Sequence, residues 1–173
     1  MPGADNPVTR DRLHFEDLEV GQSFALPRRQ VTRKMILDFA HRYDPLPFHT
    51  NEKAAKKSLL GGLAASGWQT AALSLRMLVD VFLSKAASMG GLGFTDLRWH
   101  RPVFVDDTIS GTVTIVHLRA SEGRPDWGIA TLEFDIRNQN RQQVLSMRLD
   151  NLIQRRDARV GTDRAPPATE AVS

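Results

Sequence analysis

Asp44 and His49 stand five residues apart in the stretch RYDPLPFHTNEKAAKKSLLGGLAASGW, residues 42–68, with Pro45 and Pro47 between them. An ionised carboxylate and a neutral imidazole can hold one water molecule between them and exchange protons with it. Their unperturbed pKa values are about 3.9 and 6.5, so both forms are available near neutrality. The two prolines fix backbone angles and reduce the entropy lost in bringing the pair together. A coupled acid and base need not titrate site by site, so the spacing does not say which group carries which proton. Each residue also has a plainer reading: Asp44 before proline as a cap or turn, and His49 as a structural imidazole.

The same stretch continues to Gly61-Gly62 and then to Ser66-Gly67-Trp68, where a long apolar segment begins. A helix N-terminus carries unpaired N–H groups and the positive end of the helix dipole, and glycine lets a ligand approach such backbone closely. Gly62 and Gly67 therefore read either as turn and packing residues or as ligand contacts. Ser66 reads as an N-cap; the Gly-x-Ser-x-Gly pattern of a nucleophile elbow is not present. His14, His41, His100 and His117 have no partners at metal-ligand spacing, and Asp44 with His49 is short of a metal-ligand set, so neither metal nor prosthetic group is expected. Arg98 and Arg101 suit either solvent or the phosphates of an anionic ligand.

Several helices and strands must position these residues. Thr32 can cap a helix over RKMILDFAHRY, whose Met35, Ile36, Phe39, Ala40 and Tyr43 recur at helical spacing, and Asp44-Pro45 must end it. Asn51 can cap a short helix over EKAAKKS. The longest helical pattern, ASGWQTAALSLRMLVDVFLSKAAS, carries an apolar stripe of Trp68, Ala71, Ala72, Leu75, Leu78, Val79 and Phe82 that needs a large partner surface. FEDLEVGQSFALPRRQVT reads as a turn and a short strand. The second half supplies more strands: GFTDLRWHRPV, TISGTVTIVHLRA, WGIATLEFDIRN and QVLSMRLDNLIQR, with Ile109, Val113, Ile115 and Leu132, Phe134, Ile136 alternating against polar neighbours. One long helix against several antiparallel strands is an α+β arrangement with one sheet face covered.

Composition narrows the class. The chain has 173 residues, 41% of them hydrophobic, which suits a single domain over 13–156 with tails at 1–12 and 157–173. It has no cysteine, so disulfides, thiolate nucleophiles and zinc–thiolate sites are excluded. The N-terminal MPGADNPVTRDRLHF lacks the apolar core of a signal peptide, and a cytoplasmic setting is the expectation. A net charge of +3 without a dense basic block argues against nucleic-acid binding. The most apolar stretch, residues 59–87, contains Gln69, Arg76 and Asp80, so a buried helix is expected there and not a membrane span.

Four ordered stretches now carry a resemblance: FEDLEVGQSF, DFAHRYDPLPFHTNEKAA, LLGGLAASGW and LRWHRPVFVDDTI. Together they resemble the MaoC-like dehydratases, which include (R)-specific enoyl-CoA hydratases, over about residues 15–153. The resemblance implies a hotdog fold, an antiparallel sheet wrapped around a long central helix, and a homodimer that takes an acyl-CoA thioester. It implies hydration of a trans-2-enoyl-CoA to an (R)-3-hydroxyacyl-CoA, or the reverse. It places Asp44 and His49 on the catalytic water, the Gly67 amide on the thioester oxygen, and Gly62, Ser66 and Trp68 along the substrate. Two departures stand out. Tyr43 and Leu46 occupy positions where the family often has Gly and Asn, and Ser66 stands where many members have His. Two other activities fit the same residues: a hotdog thioesterase, which cleaves the thioester, and a non-catalytic acyl-thioester binding module.

Overall fold

The computed structural model describes residues 12–121 and 123–156. The expected tails, apart from Arg12, lie outside the described residues. Five strands form one antiparallel sheet: β1 (Ser23–Gln30), β2 (Ser88–Trp99), β3 (Thr108–Ala120), β4 (Trp127–Arg137) and β5 (Gln143–Gln154). Their spatial order is β1-β3-β4-β5-β2, so β1 and β2 are the edges. Every pairing contains a register shift. Such bulges bend a strand and increase its twist, which lets a sheet curve around a helix.

Between β1 and β2 the chain forms α1 (Arg33–Tyr43), α2 (Pro47–Thr50), α3 (Glu52–Lys57) and α4 (Gly67–Leu78), the last continued by a π-helical turn over Val79–Leu83. The anticipated caps are present. Thr32 Oγ1 accepts from the Met35 N–H at 3.3 Å, and Asn51 Oδ1 accepts from the Ala54 N–H at 3.0 Å. Asp44 is the C-cap of α1, held out of helical geometry (φ −152°, ψ 68°) as proline at the next position demands.

The core lies between the α4 segment and one face of the sheet. Met77, Leu78 and Phe82 pack into one cluster with Ile109, Val113, Ile115, Leu132, Phe134, Ile136 and Met147. Phe82 stacks on Phe24 of β1 at 4.3 Å between ring centroids. Burying a side chain of this size contributes about 1.5–3 kcal/mol.

The helix differs from the expected stripe at its N-terminal end. Trp68 is 59% exposed, while Gln69, Thr70 and Ser74 are buried. Burial of the two hydroxyls is possible because each is satisfied inside the helix. Thr70 Oγ1 donates to the Ser66 carbonyl at 3.3 Å, and Ser74 Oγ donates to the Thr70 carbonyl at 2.8 Å.

The end of β5 is clasped to the start of the domain. Arg155 Nε and the Arg156 N–H donate to Glu16 at 2.8 and 3.0 Å, and Arg156 also pairs with Asp17. Burial pushes the Glu16 carboxyl up, but the hydrogen bonds from Arg155 and Arg156, with the Arg155 charge, outweigh it and hold the group below its ordinary 4.5. A depressed carboxyl stabilises the fold above its unfolded pKa, and that stabilisation is lost as pH falls through the folded value. Glu16→Gln is therefore expected to lower the thermal midpoint at pH 7, with the gap to wild type closing below about pH 4.5. Thermal melts across pH check this; a gap that does not vary with pH would contradict it.

Candidate active site

Asp44 and His49 are brought together by two short pieces of structure. Asp44 donates its N–H to the Ala40 carbonyl at 2.9 Å and so closes α1. The Leu46 N–H then turns back to the Asp44 carbonyl at 2.8 Å, and Pro47 begins α2 at the position where a missing N–H costs nothing. The His49 N–H bonds the Leu46 carbonyl at 2.9 Å, which sets the imidazole on the inner side of this one-turn helix. The His49 side chain is 8% exposed and that of Asp44 21%. The pair is thus nearly buried at the base and open to solvent at the acid.

The hydrogen bonds determine the imidazole's tautomer. Nδ1 lies 2.8 Å from the Ala64 carbonyl oxygen. A carbonyl can only accept, so Nδ1 carries the proton, and in the neutral ring Nε2 presents a lone pair. Nε2 faces Asp44 Oδ2 at 3.5 Å. That separation is beyond the usual range for a direct hydrogen bond, and an ionised carboxylate is an acceptor as well. Two acceptors so placed are suited to sharing one donor molecule such as water.

Ala64 belongs to a buried segment, Leu63–Ser66. It forms a β-bridge with Phe104, and the Ala65 N–H bonds the Val103 carbonyl at 2.8 Å. This segment leads directly into α4. Ser66, fully buried, is the N-cap: its hydroxyl accepts from the Trp68 N–H at 3.2 Å. Gly67 is the first residue of α4, and its N–H has no acceptor among the described residues. The amide expected to hold an oxyanion is therefore free, three residues beyond the carbonyl that orients the base.

The other predicted residues are less uniform. Trp68 points outward, edge-on to Trp99 at 5.3 Å. Gly62 sits beside the Phe104 ring, and a β-carbon there would be 3.5 Å from it, an ordinary contact. The plain reading of Gly62 as part of a turn suffices, since the preceding Gly61 takes φ +73°. Arg98 and Arg101 are exposed and have no carboxylate partner among the described residues. No cluster of three or more metal-ligating side chains occurs among the described residues.

An open groove of about 670 Å³ lies between α1 and α4, lined by apolar Met35, Phe39, Ala72 and Leu73 and by polar Lys34, Asp38, His41, Arg42, Tyr43 and Gln69. It adjoins the site in sequence at both ends, through Tyr43 before Asp44 and Gln69 after Trp68, although Asp44 and His49 do not themselves line it. Gln69 Nε2 donates to the Met35 carbonyl at 2.8 Å and ties the two helices together.

A model of the MaoC like domain matches residues 16–133. The chain belongs to this family. Its fold is the hotdog fold of that family, with the five-stranded antiparallel sheet around α4. The MaoC-like dehydratase from Rhodospirillum rubrum superposes with a TM-score of 0.78 at 40% identity, covering 83% of this chain and 98% of that one. The (R)-hydratase from A. caviae involved in PHA biosynthesis superposes with a TM-score of 0.65 at 27% identity, covering 79% and 97%. The protein YdeM of Bacillus subtilis, itself uncharacterised, is 27% identical over 143 residues, covering 83% of this chain and all of YdeM.

Sequence reasoning missed two contributors to the site. The Ala64 carbonyl gives no side-chain signal. Trp99 is visible as a tryptophan at a strand end, but its contact with Gly67 crosses 32 residues of chain.

The histidine contact makes a test of stability. His49→Ala leaves the buried Ala64 carbonyl unpaired and is expected to cost about 1–3 kcal/mol. His49→Asn, whose amide nitrogen stands where Nδ1 does, should recover much of that. Urea denaturation of both variants checks the difference; equal losses would contradict it.

Proposed function

We propose that the protein is a hydratase of acyl-CoA thioesters, adding water to a trans-2-enoyl-CoA to give an (R)-3-hydroxyacyl-CoA, and catalysing the reverse dehydration. The observation that carries the reading is the placement of His49 Nε2 against Asp44 by the Nδ1–H bond to Ala64, with the Gly67 amide, free among the described residues, directly after the same buried segment.

The chemistry follows from these groups. Water held by Nε2 and the Asp44 carboxylate attacks C3 with its oxygen and gives up one proton to the pair. Electron density moves through C2 to the thioester carbonyl, whose oxygen gains enolate charge and accepts from the Gly67 N–H. C2 then takes a proton returned by the pair, so H and OH have been added across the double bond. A preorganised donor on the developing oxyanion typically contributes about 3–4 kcal/mol to barrier lowering. The donor is main chain, so Gly67→Ala alters access to the amide and does not remove it.

The rest of the surface supports a substrate of this kind. The apolar part of the groove between α1 and α4, Met35, Phe39, Ala72 and Leu73, suits an acyl chain, and Arg98 and Arg101, without a carboxylate partner among the described residues, suit the phosphates of CoA. None of the helices among the described residues is long and apolar enough to cross a membrane. A cysteine-free chain suits the cytoplasm, where we place the reaction.

We also assign a homodimer, formed by pairing β2 with its copy. β2 is a 12-residue edge strand bonded only to β5, and its Leu92 and Phe94 are 51% and 48% exposed. A long apolar edge of this kind is a template for another strand. The second copy would also cover Trp68 and Trp99.

Two measurements test this. Loss of enoyl absorbance should be seen with enoyl-CoAs of at least one chain length, without release of free thiol, and Asp44→Asn or His49→Ala should each lower kcat by about 10²–10⁴-fold. Thiol release would instead make the protein a thioesterase, and binding without turnover, equal in both variants, a binding module. For the assembly, Leu92→Glu with Phe94→Glu should convert a dimer to monomer in light scattering; a wild-type monomer would contradict the assignment.

A further inference from the structure

The first turn of α4 is in contact with a side chain from the far edge of the sheet. Trp99, the last residue of β2, donates its indole Nε1–H to the Gly67 carbonyl at 2.8 Å. The ring also lies against the Gly67 α-carbon. A β-carbon built there would stand 2.6 Å from Cε2, 2.7 Å from Nε1 and 2.9 Å from Cδ2 of the indole. Real β-carbons do not approach other atoms this closely, and a rigid bicyclic ring held by its own hydrogen bond has little room to give. The place of a side chain at residue 67 is taken by Trp99.

This changes the reason for the glycine. The general expectation is that a glycine at a helix start admits a ligand; here its missing side chain admits an indole. The Gly67–Trp68 peptide is then held at both ends, its N–H by Ser66 Oγ at 3.2 Å and its carbonyl by Trp99. The free N–H belongs to the preceding Ser66–Gly67 peptide, whose carbonyl accepts from the Thr70 N–H at 3.1 Å and from Thr70 Oγ1 at 3.3 Å, and the Gly67 N–Cα bond joins these two peptides. Trp99 pins the far side of that bond, through the Gly67 carbonyl and the α-carbon; without it the Thr70 contacts alone set the direction of the free Gly67 N–H. Trp68 packs edge-on to the same indole at 78° and supports it from the outer side.

We propose that Trp99 is a positioning residue that aims the Gly67 amide, and that residue 67 is glycine because Trp99 occupies its side-chain space. The packing half stands on the geometry alone. The positioning half rests on the hydratase reading given above, since it is the oxyanion donor that is aimed.

Four full-length proteins test the packing: wild type, Gly67→Ala, Trp99→Ala and the double variant. Gly67→Ala should lower the thermal midpoint by about 5 °C or more, whereas the same change made in the Trp99→Ala background should lower it by no more than about 2 °C. Should Gly67→Ala fail to fold, a folded double variant gives the same answer. Equal losses in both backgrounds, a harmless Gly67→Ala, or a double variant that fails to fold would overturn the packing.

Trp99→Phe tests positioning, because it retains an aromatic ring and removes the N–H donor. A misaimed donor should lower kcat at least about tenfold while KM for an enoyl-CoA stays within about twofold and the protein remains folded. Unchanged kcat in an active wild-type background overturns the positioning role and leaves the hydratase reading standing. A wild type inactive on every enoyl-CoA overturns the hydratase reading and the positioning role together, and the thermal cycle still decides the packing.

Discussion

The Nδ1–H bond from His49 to the Ala64 carbonyl is the contact on which the site depends. It is short, at 2.8 Å, and buried, where an unpaired carbonyl would be costly. It fixes which ring nitrogen bears the proton and thereby which one is basic. A neutral imidazole bonded the other way would turn an N–H toward Asp44, and acid and base would satisfy each other instead of sharing a third molecule. The tautomer, set by main chain, therefore decides whether the pair is a structural contact or a site for chemistry.

The fold holds that carbonyl still. Ala64 and Ala65 are tied to Val103 and Phe104, on the segment leading into β3. The same few residues turn into α4 through the Ser66 cap. Base orientation and helix start are thus two ends of one rigid stretch, with the core beneath α4 as its foundation. The position often occupied by His in the family is a fully buried Ser66 here, and its hydroxyl is spent on the Trp68 amide. Leu46, at the position often occupied by Asn, contributes its carbonyl to the His49 N–H.

Much of this was legible in the amino-acid sequence because the signals are local. Thr32 and Asn51 cap the helices beside them, Asp44-Pro45 forces a stop, and the alternation in β3 and β4 reflects one buried face. The Asp44–His49 proximity is legible as a five-residue spacing stiffened by Pro45 and Pro47. What escaped was either too short or too distant. The four-residue α2 has no period to detect. The glycine-rich start of β2, Ser88–Gly93, lacks alternation because an edge strand with mostly exposed side chains does not need it. The buried face of α4 departs from the apolar stripe at its N-terminal end, since Thr70 and Ser74 hide their hydroxyls by bonding to carbonyls one turn back. The Trp99–Gly67 contact joins a strand end to a helix start across the chain, and neither residue signals the other.

The central claim is most directly tested by neutron diffraction from crystals of the deuterium-exchanged protein without ligand. The account predicts deuterium on His49 Nδ1, directed at the Ala64 oxygen, and a water molecule donating to both Nε2 and the Asp44 carboxylate. Deuterium on Nε2 alone, bonded directly to Asp44, would contradict it.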